Sequence, residues 1–378
     1  MKKVTMRKYH REDSGEMGEL DLKKEEISRD MTEECILPVG KLESKLLENL
    51  VFKHLTYKRS DVKIRSGIGL DCAALDFGDF DCVVSSDPIS AAASDIGRLA
   101  VHINCNDIAT QGVAPMAMTL VLLLPYGTTT KQIEEIMLQA CDESAALGVE
   151  IVGGHTEITE AVNKPVVVAT CFGKTLSKKV PEEMKPGDRV LMSKVAGLEG
   201  TAIICSDMED RLDFLNKEDI RHGQQFFENL SVVKEGIISG EEGASGMHDV
   251  TEGGILGAVW EICRVAGLGV RIYGKNIPVD PVTVKLAKHM DFDYFRLISS
   301  GSMVIVAEES KAARIIERCG ELDITVSDIG EIVPSYEGCK ILVDDRLRGI
   351  HGNVWEDIDP PAGDHLYKAL NYIEQERG

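Results

Sequence analysis

Gly67-Ile68-Gly69-Leu70-Asp71-Cys72-Ala73-Ala74-Leu75 places one carboxylate inside an apolar run just after two glycines. Three other stretches give it meaning. Ser86-Asp87 follows the apolar strand candidate Asp81–Ser86, Asn106-Asp107 ends a helix candidate, and Gly153-Gly154-His155-Thr156-Glu157 follows a strand candidate at Val149–Val152. Each is a carboxylate or glycine pair at the end of an apolar element, the usual place for ligands in α/β proteins. Together they predict carboxylates and glycines converging on a metal-bound polyphosphate.

Working outward from this segment, strands and helices alternate from residue 62 to 173. Further strands are predicted at Met116–Leu124 and Val166–Phe172. Helices are predicted at Leu42–Leu55, with an apolar stripe of Leu46, Leu47, Leu50 and Val51, at Asp95–Gln111 with Asp95 as N-cap, and at Thr130–Leu147. Pro186-Gly187-Asp188 signals a turn, so a domain boundary is expected near 175–187. The second half repeats the theme. It has strands at Arg189–Lys194, Val270–Tyr273, Met303–Ala307 and Thr325–Val333, and helices after Gly200 and at Thr251–Ala266, Val282–His289 and Lys311–Cys319. The expected class is mixed α/β, with a charged extension at 1–36, domains at 37–178 and 179–345, and a tail at 346–378.

Composition narrows the function. A net charge of −21 disfavours nucleic acid as a partner, because phosphate backbones are bound by clustered Lys and Arg. The same charge repels a nucleotide unless a divalent ion and backbone N–H groups intervene. No apolar run approaches the roughly 20 residues needed to cross a bilayer, and Met1–Asp13 carries charges where a signal peptide needs apolar residues. Ten cysteines without a CxxC pair fit a reducing cytoplasm.

Each candidate has a plain structural alternative. Asp107 shares a helix face with Ile96, Leu99, Ala100 and Ile103, so it needs a cation, a metal or several donors, or else it caps a loop. Asp87 and Asp71 are metal-ligand candidates or turn residues, and Pro88 should stop the strand after Asp87. Gly153-Gly154 either lets backbone approach a phosphate, with His155 as an acid–base group, or forms a hairpin to Val166. His248-Asp249-Val250-Thr251-Glu252-Gly253-Gly254 opens a helix in which Asp249 or Thr251 caps and the free N–H groups offer an anion site. Phe172-Gly173-Lys174-Thr175 is no P-loop, since Val168 stands where the first glycine is required.

This ordered set, with Asp95–Pro115 and Ser299-Ser300-Gly301-Ser302, resembles the superfamily of aminoimidazole ribonucleotide (AIR) synthetase, thiamine-monophosphate kinase, selenophosphate synthetase and the hydrogenase maturation factor HypE. It covers about residues 40–345 and is most similar to the HypE branch. The resemblance implies a two-domain PurM-like fold whose N-terminal domains dimerise into a shared β-barrel, with ATP in the cleft. It implies Mg²⁺ on Asp71, Asp87 and Asp107, and nucleotide or substrate contacts from Gly67, Gly69, Asn106, Gly153, Gly154, Thr156, Thr251, Glu252, Gly253 and Gly254. His155 and Asp249 are the catalytic candidates. Reactions in the family activate a carbonyl-type oxygen with ATP or transfer phosphate. Two departures stand out: Leu70 precedes Asp71 where relatives often have a second aspartate, and the chain ends in Arg377-Gly378 rather than in HypE's carbamoyl-carrying cysteine. The expected protein is thus a Mg²⁺-dependent, ATP-using, homodimeric enzyme, possessing scope for a maturation-type protein partner. The alternative is a nucleotide-binding scaffold of the same fold.

Overall fold

The computed structural model describes residues 42, 44–65, 67–90, 95–175, 183–343, 353–361 and 363–375. The expected extension at 1–36, the predicted start at Leu37–Gly40 and much of the 175–187 boundary lie outside these residues. The described residues pack as one unit.

The first half builds a six-stranded sheet. Its strands are β1 (Val62–Ile64), β2 (Ala73–Asp76), β3 (Asp81–Ile89), β4 (Pro115–Pro125), β5 (Glu150–Thr159) and β6 (Val166–Lys174), in the order β1-β2-β3-β6-β4-β5. All neighbours are antiparallel except β4 and β5, which need a helical crossover. Helix α1 (Ser44–Leu50) precedes the sheet, and α2 (Ile96–Ala109) and α3 (Thr130–Ala146) cover it. In β6, every second residue is buried beneath these helices, giving the alternation of a sheet with one covered face.

The second half forms a seven-stranded sheet from β7 (Arg189–Ser193), β8 (Gly246–Asp249), β9 (Gly269–Tyr273), β10 (Met303–Ala307), β11 (Val326–Val333), β12 (Cys339–Val343) and β13 (Val354–Asp357). The order is β13-β12-β9-β11-β7-β10-β8. Its helices are α4 (Leu198–Asp207), α5 (Lys217–Gln224), α6 (Val233–Glu242), α7 (Gly254–Ala266), α8 (Pro281–Met290), α9 (Glu309–Gly320) and α10 (Leu366–Gln375). One apolar cluster runs from the first sheet through α2 into α4, α6 and α9. A second lies on the other face of the second sheet, under α7. The two halves meet where α2 crosses α6. A Cβ on Gly236 would sit 2.6 Å from the Ala109 carbonyl oxygen, and one on Gly240 would sit 2.6 Å from the Gly112 Cα, so glycine is what allows the approach.

Several expectations change. The helix expected at Leu42–Leu55 is limited to Ser44–Leu50 plus a 3₁₀ turn at Phe52–His54, and its apolar stripe is not buried. Strand β3 does not stop at Asp87 but runs through Pro88 to Ile89. Beyond Val84 it has, among the described residues, a partner strand on one side only, the edge setting in which sheets accept proline. Asp95 occupies the α2 N-cap position without capping it; its φ of 54° is left-handed and its carboxylate lies 3.7 Å from Arg98.

Candidate functional site

Asp71 reaches the second half of the chain because the Gly67–Leu70 turn lies against α7. Gly69 has a φ of 69°, and a Cβ there would stand 3.1 Å from the Glu261 carbonyl oxygen and 2.8 Å from Val265. The close approach that the two glycines permit is therefore to a helix backbone. It sets Asp71 beside β8, whose last residues are His248 and Asp249. His248 Nε2 is 3.7 Å from Asp71 Oδ1 and 3.3 Å from Glu261 Oε2; its Nδ1 is 2.7 Å from the Asp249 carbonyl oxygen. Both His248 and Asp249 are buried. The His248 Nε2 and Asp249 Oδ2 atoms have no aligned hydrogen-bond partner, which is costly for polar groups away from water.

Asp107 belongs to the same group. It is buried on α2, accepts a hydrogen bond from the Ser85 hydroxyl, and receives the Cys72 thiol at its own carbonyl oxygen, 3.1 Å away. Burial, then the charges of Asp249, Asp71 and Asp87, push its carboxyl well above the ordinary carboxylate range. Asp87 is exposed on β3 and fixed through its backbone: its N–H donates to Asn104 Oδ1 at 2.9 Å. Burial drives the His248 ring downward, but Asp71, Asp249 and Glu261 override it and raise the imidazole well above its usual value. Both effects have one physical source. Carboxylates from two halves of the chain crowd together, Asp107 and Asp249 among them buried, and the group calls for positive charge. A divalent cation fits that demand and would give Asp249 Oδ2 its missing partner.

The other predicted residues fall into separate places. Asn106 is fully buried and ties α2 to the α6 approach: its Nδ2 donates to the Leu230 carbonyl at 2.8 Å and its Oδ1 accepts the Val232 N–H at 2.8 Å. Gly153, Gly154, His155 and Thr156 do not form a loop or a hairpin. They lie within β5, paired with β4 from Thr119 to Leu122. Gly154 is required because a Cβ would fall 1.8 Å from the Leu120 carbonyl oxygen, so the glycine serves sheet pairing. His155 is exposed, 3.3 Å from Glu157.

Helix α7 begins at Gly254, not at Thr251, and neither Asp249 nor Thr251 caps it. Gly253 (φ 86°) is the N-cap, and Thr251 accepts the Gly254 N–H at 3.1 Å through its backbone. The acceptor at this helix start comes from far along the chain: Asp364 Oδ2 takes the Gly253 N–H at 2.8 Å, and Asp364 Oδ1 takes the Leu366 N–H at 2.7 Å. The expected anion site therefore already holds a carboxylate, and burial raises its pKa to about 6. Nearby, burial pushes the Glu199 carboxyl up to about 7, against the Ser300 N–H that it accepts at 3.3 Å. Ser299 and Ser302 donate to the Val195 carbonyl, so much of this serine motif braces the turn before α4.

His248, Glu261, Glu199 and Asp364 were missed by sequence reasoning. His248 stood inside a quoted motif beside Asp249, and that adjacency was the available signal. Asp364 gave none.

The AIR synthase related N-terminal domain model matches residues 69–175, and the corresponding C-terminal domain model matches residues 185–340. The chain belongs to the AIR synthase related proteins, and its fold is of the PurM-like type. A hydrogenase expression/formation-type protein of Methanocaldococcus jannaschii, itself only provisionally assigned, is 27% identical over 86% of this chain and 96% of its own length. Among solved structures, the HypE–HypF complex aligns with a TM-score of 0.67 at 21% identity, covering 84% of this chain and 99% of the other. HypE in complex with ATP aligns at 0.60 and 21% identity, covering 86% and 97%. Among the described residues, no helix is long and apolar enough to cross a membrane.

Proposed function

We propose that this chain is a cytoplasmic, divalent-cation-dependent enzyme that uses ATP to activate a carbonyl-type oxygen or to transfer phosphate. The observation that carries this reading is the convergence of Asp71 and Asp107 from the first half with Asp249 from the second, around a buried carboxylate oxygen without a partner. Asp71, Asp87 and Asp107 would hold Mg²⁺, and Asp249, the catalytic candidate, closes the group from the other side. When bound, the ion supplies charge neutralisation for a triphosphate. The protein's own part is to fix the carboxylates: Ser85 orients Asp107, Asn104 anchors the Asp87 backbone, and the Gly67–Leu70 turn delivers Asp71. Asp249 makes good the ligand that Leu70 leaves out. The HypE–ATP structure supports a nucleotide for this fold, and the family matches at 69–175 and 185–340 support the division into two domains.

The same reading includes a homodimer. Strand β5 is long and exposed and, among the described residues, has a neighbour on one side only, with Val152 and Ile158 turned outward. Edges of this kind are ordinarily covered. A second copy seated there would bring Gly153, Gly154, His155 and Thr156 into an interface, where His155 could act on a bound nucleotide. Gly67 and Gly69 then serve placement of Asp71, and Asn106 serves the seam. Thr251, Glu252, Gly253 and Gly254 would meet a phosphate where Asp364 now sits. A maturation-type partner is suggested by the HypE–HypF neighbour.

Calorimetric titration of ATP with and without Mg²⁺ tests the reading, on the native chain and on Asp71→Asn/Asp107→Asn. Mg²⁺-dependent binding that disappears in the variant is expected. Nucleotide binding that ignores Mg²⁺ and survives the double change would overturn the enzyme assignment and favour a scaffold.

A further inference from the structure

We propose that Asp71, His248 and Asp249 form a mixed nitrogen–oxygen site for a divalent transition-metal cation, with Glu261 beside it. It shares Asp71 and Asp249 with the cation site of the proposed function, rests on that site, and adds to it a nitrogen ligand, His248. One donor atom from each of the three residues lies within 4.8 Å of the other two. The His248 tautomer follows from geometry. Its Nδ1 faces the Asp249 carbonyl oxygen at 2.7 Å, and that oxygen only accepts, so Nδ1 carries the hydrogen. In the neutral ring, Nε2 then presents a lone pair to Asp71 Oδ1 and Glu261 Oε2, at 3.7 and 3.3 Å. A lone pair directed at two carboxylates repels them unless a proton or a metal cation stands between, and the site is a metal centre in the second case.

Two further observations point to a ligand. Among the described residues, His248 Nε2 and Asp249 Oδ2 are both buried without an aligned hydrogen-bond partner, so each is an available donor atom for a cation. The ring is also set as ligating histidines are, with the far nitrogen donating to a backbone carbonyl that fixes its orientation. Imidazole plus carboxylates suits Mn²⁺, Fe²⁺, Co²⁺ or Zn²⁺ better than Mg²⁺, which prefers oxygen throughout. Asp71 is the most exposed of the three side chains and marks the way in.

Chelator-stripped full-length protein titrated with Co²⁺ alone tests the site by ligand-field absorption, and Mn²⁺-loaded native protein tests it by pulsed electron paramagnetic resonance. Expected are a saturating Co²⁺ band, imidazole-nitrogen modulation in the Mn²⁺ spectrum, and about a 10–100-fold loss of Co²⁺ affinity in His248→Gln. Absence of nitrogen modulation in the native protein overturns the proposal whether or not the variant folds. Equal Co²⁺ affinity in a folded His248→Gln overturns it too, leaving His248 as an imidazolium clamped between carboxylates. Mg²⁺·ATP titration of the same variant separates this outcome from failure of the nucleotide reading.

Discussion

Gly69 and Glu261 lie so close that a Cβ on the glycine would sit 3.1 Å from the glutamate's carbonyl oxygen. This contact brings the turn that carries Asp71 onto the helix that carries Glu261, and so joins the two halves at the carboxylate cluster. Gly69→Ala introduces left-handed strain of about 1–2 kcal/mol and a clash with Val265, 2.8 Å away. The expected result is a lower Tm and, at temperatures where the variant is folded, cation binding weakened more than stability alone accounts for. Native-like cation affinity in a folded Gly69→Ala would separate the turn from the site.

Glu199 gives a pH test. Its folded pKa of about 7 stands above the 4.5 of an ordinary glutamate, so the folded state holds the proton more tightly than the unfolded state. Its favourable contribution is fully present below about pH 4.5 and is lost as pH rises through about 7. Glu199→Gln keeps an acceptor for the Ser300 N–H and removes the titration. Denaturant unfolding should show the variant gaining on the native chain between pH 5 and pH 8, by on the order of 3 kcal/mol at most. A pH-independent difference would contradict the assignment.

Asp364→Ala removes the acceptor for both the Gly253 and the Leu366 N–H groups. A loss of about 1–2 kcal/mol is expected, as for other helix N-terminal acceptors. The vacated helix start should then accept an external anion. Inorganic phosphate is expected to raise the Tm of Asp364→Ala more than that of the native chain, measured at matched ionic strength with chloride.

Lys194 is held at a φ of 55°, with its ammonium 2.5 Å from Glu235 Oε1 and 2.7 Å from the carbonyl oxygens of Ser231 and Gly301. Glu235 is almost fully buried. Lys194→Met leaves that carboxylate without its cation and should cost about 3–5 kcal/mol. Adding Glu235→Gln should recover part of the loss, and chemical denaturation of the single and double variants reads the coupling.

Much of the fold was legible along the chain because period and punctuation are local. The alternation in β6, the Thr130 helix and the apolar run of β10 all follow from nearest neighbours. The strand expected at Val149–Val152 was right, but its continuation to Thr159 escaped because two glycines read as a turn, whereas in the sheet Gly154 lets β5 pass close to Leu120. Pro88 misled for a related reason: whether proline ends a strand depends on which side has a partner, and that is settled by chain folded elsewhere.

By itself the sequence determined a mixed α/β chain of the AIR synthase type, with Asp71, Asp87, Asp107 and Asp249 singled out as candidate site residues. Only the tertiary structure decided what each one meets. Asp107 is perturbed by Asp249 and Asp71 because α2 is packed against β8 and the Gly69 turn lies on α7. His248 is caught between Asp71 and Glu261, and Asp364 fills the start of α7. Electrostatic interaction falls with distance in space and is strengthened by burial, and neither quantity can be counted along a chain.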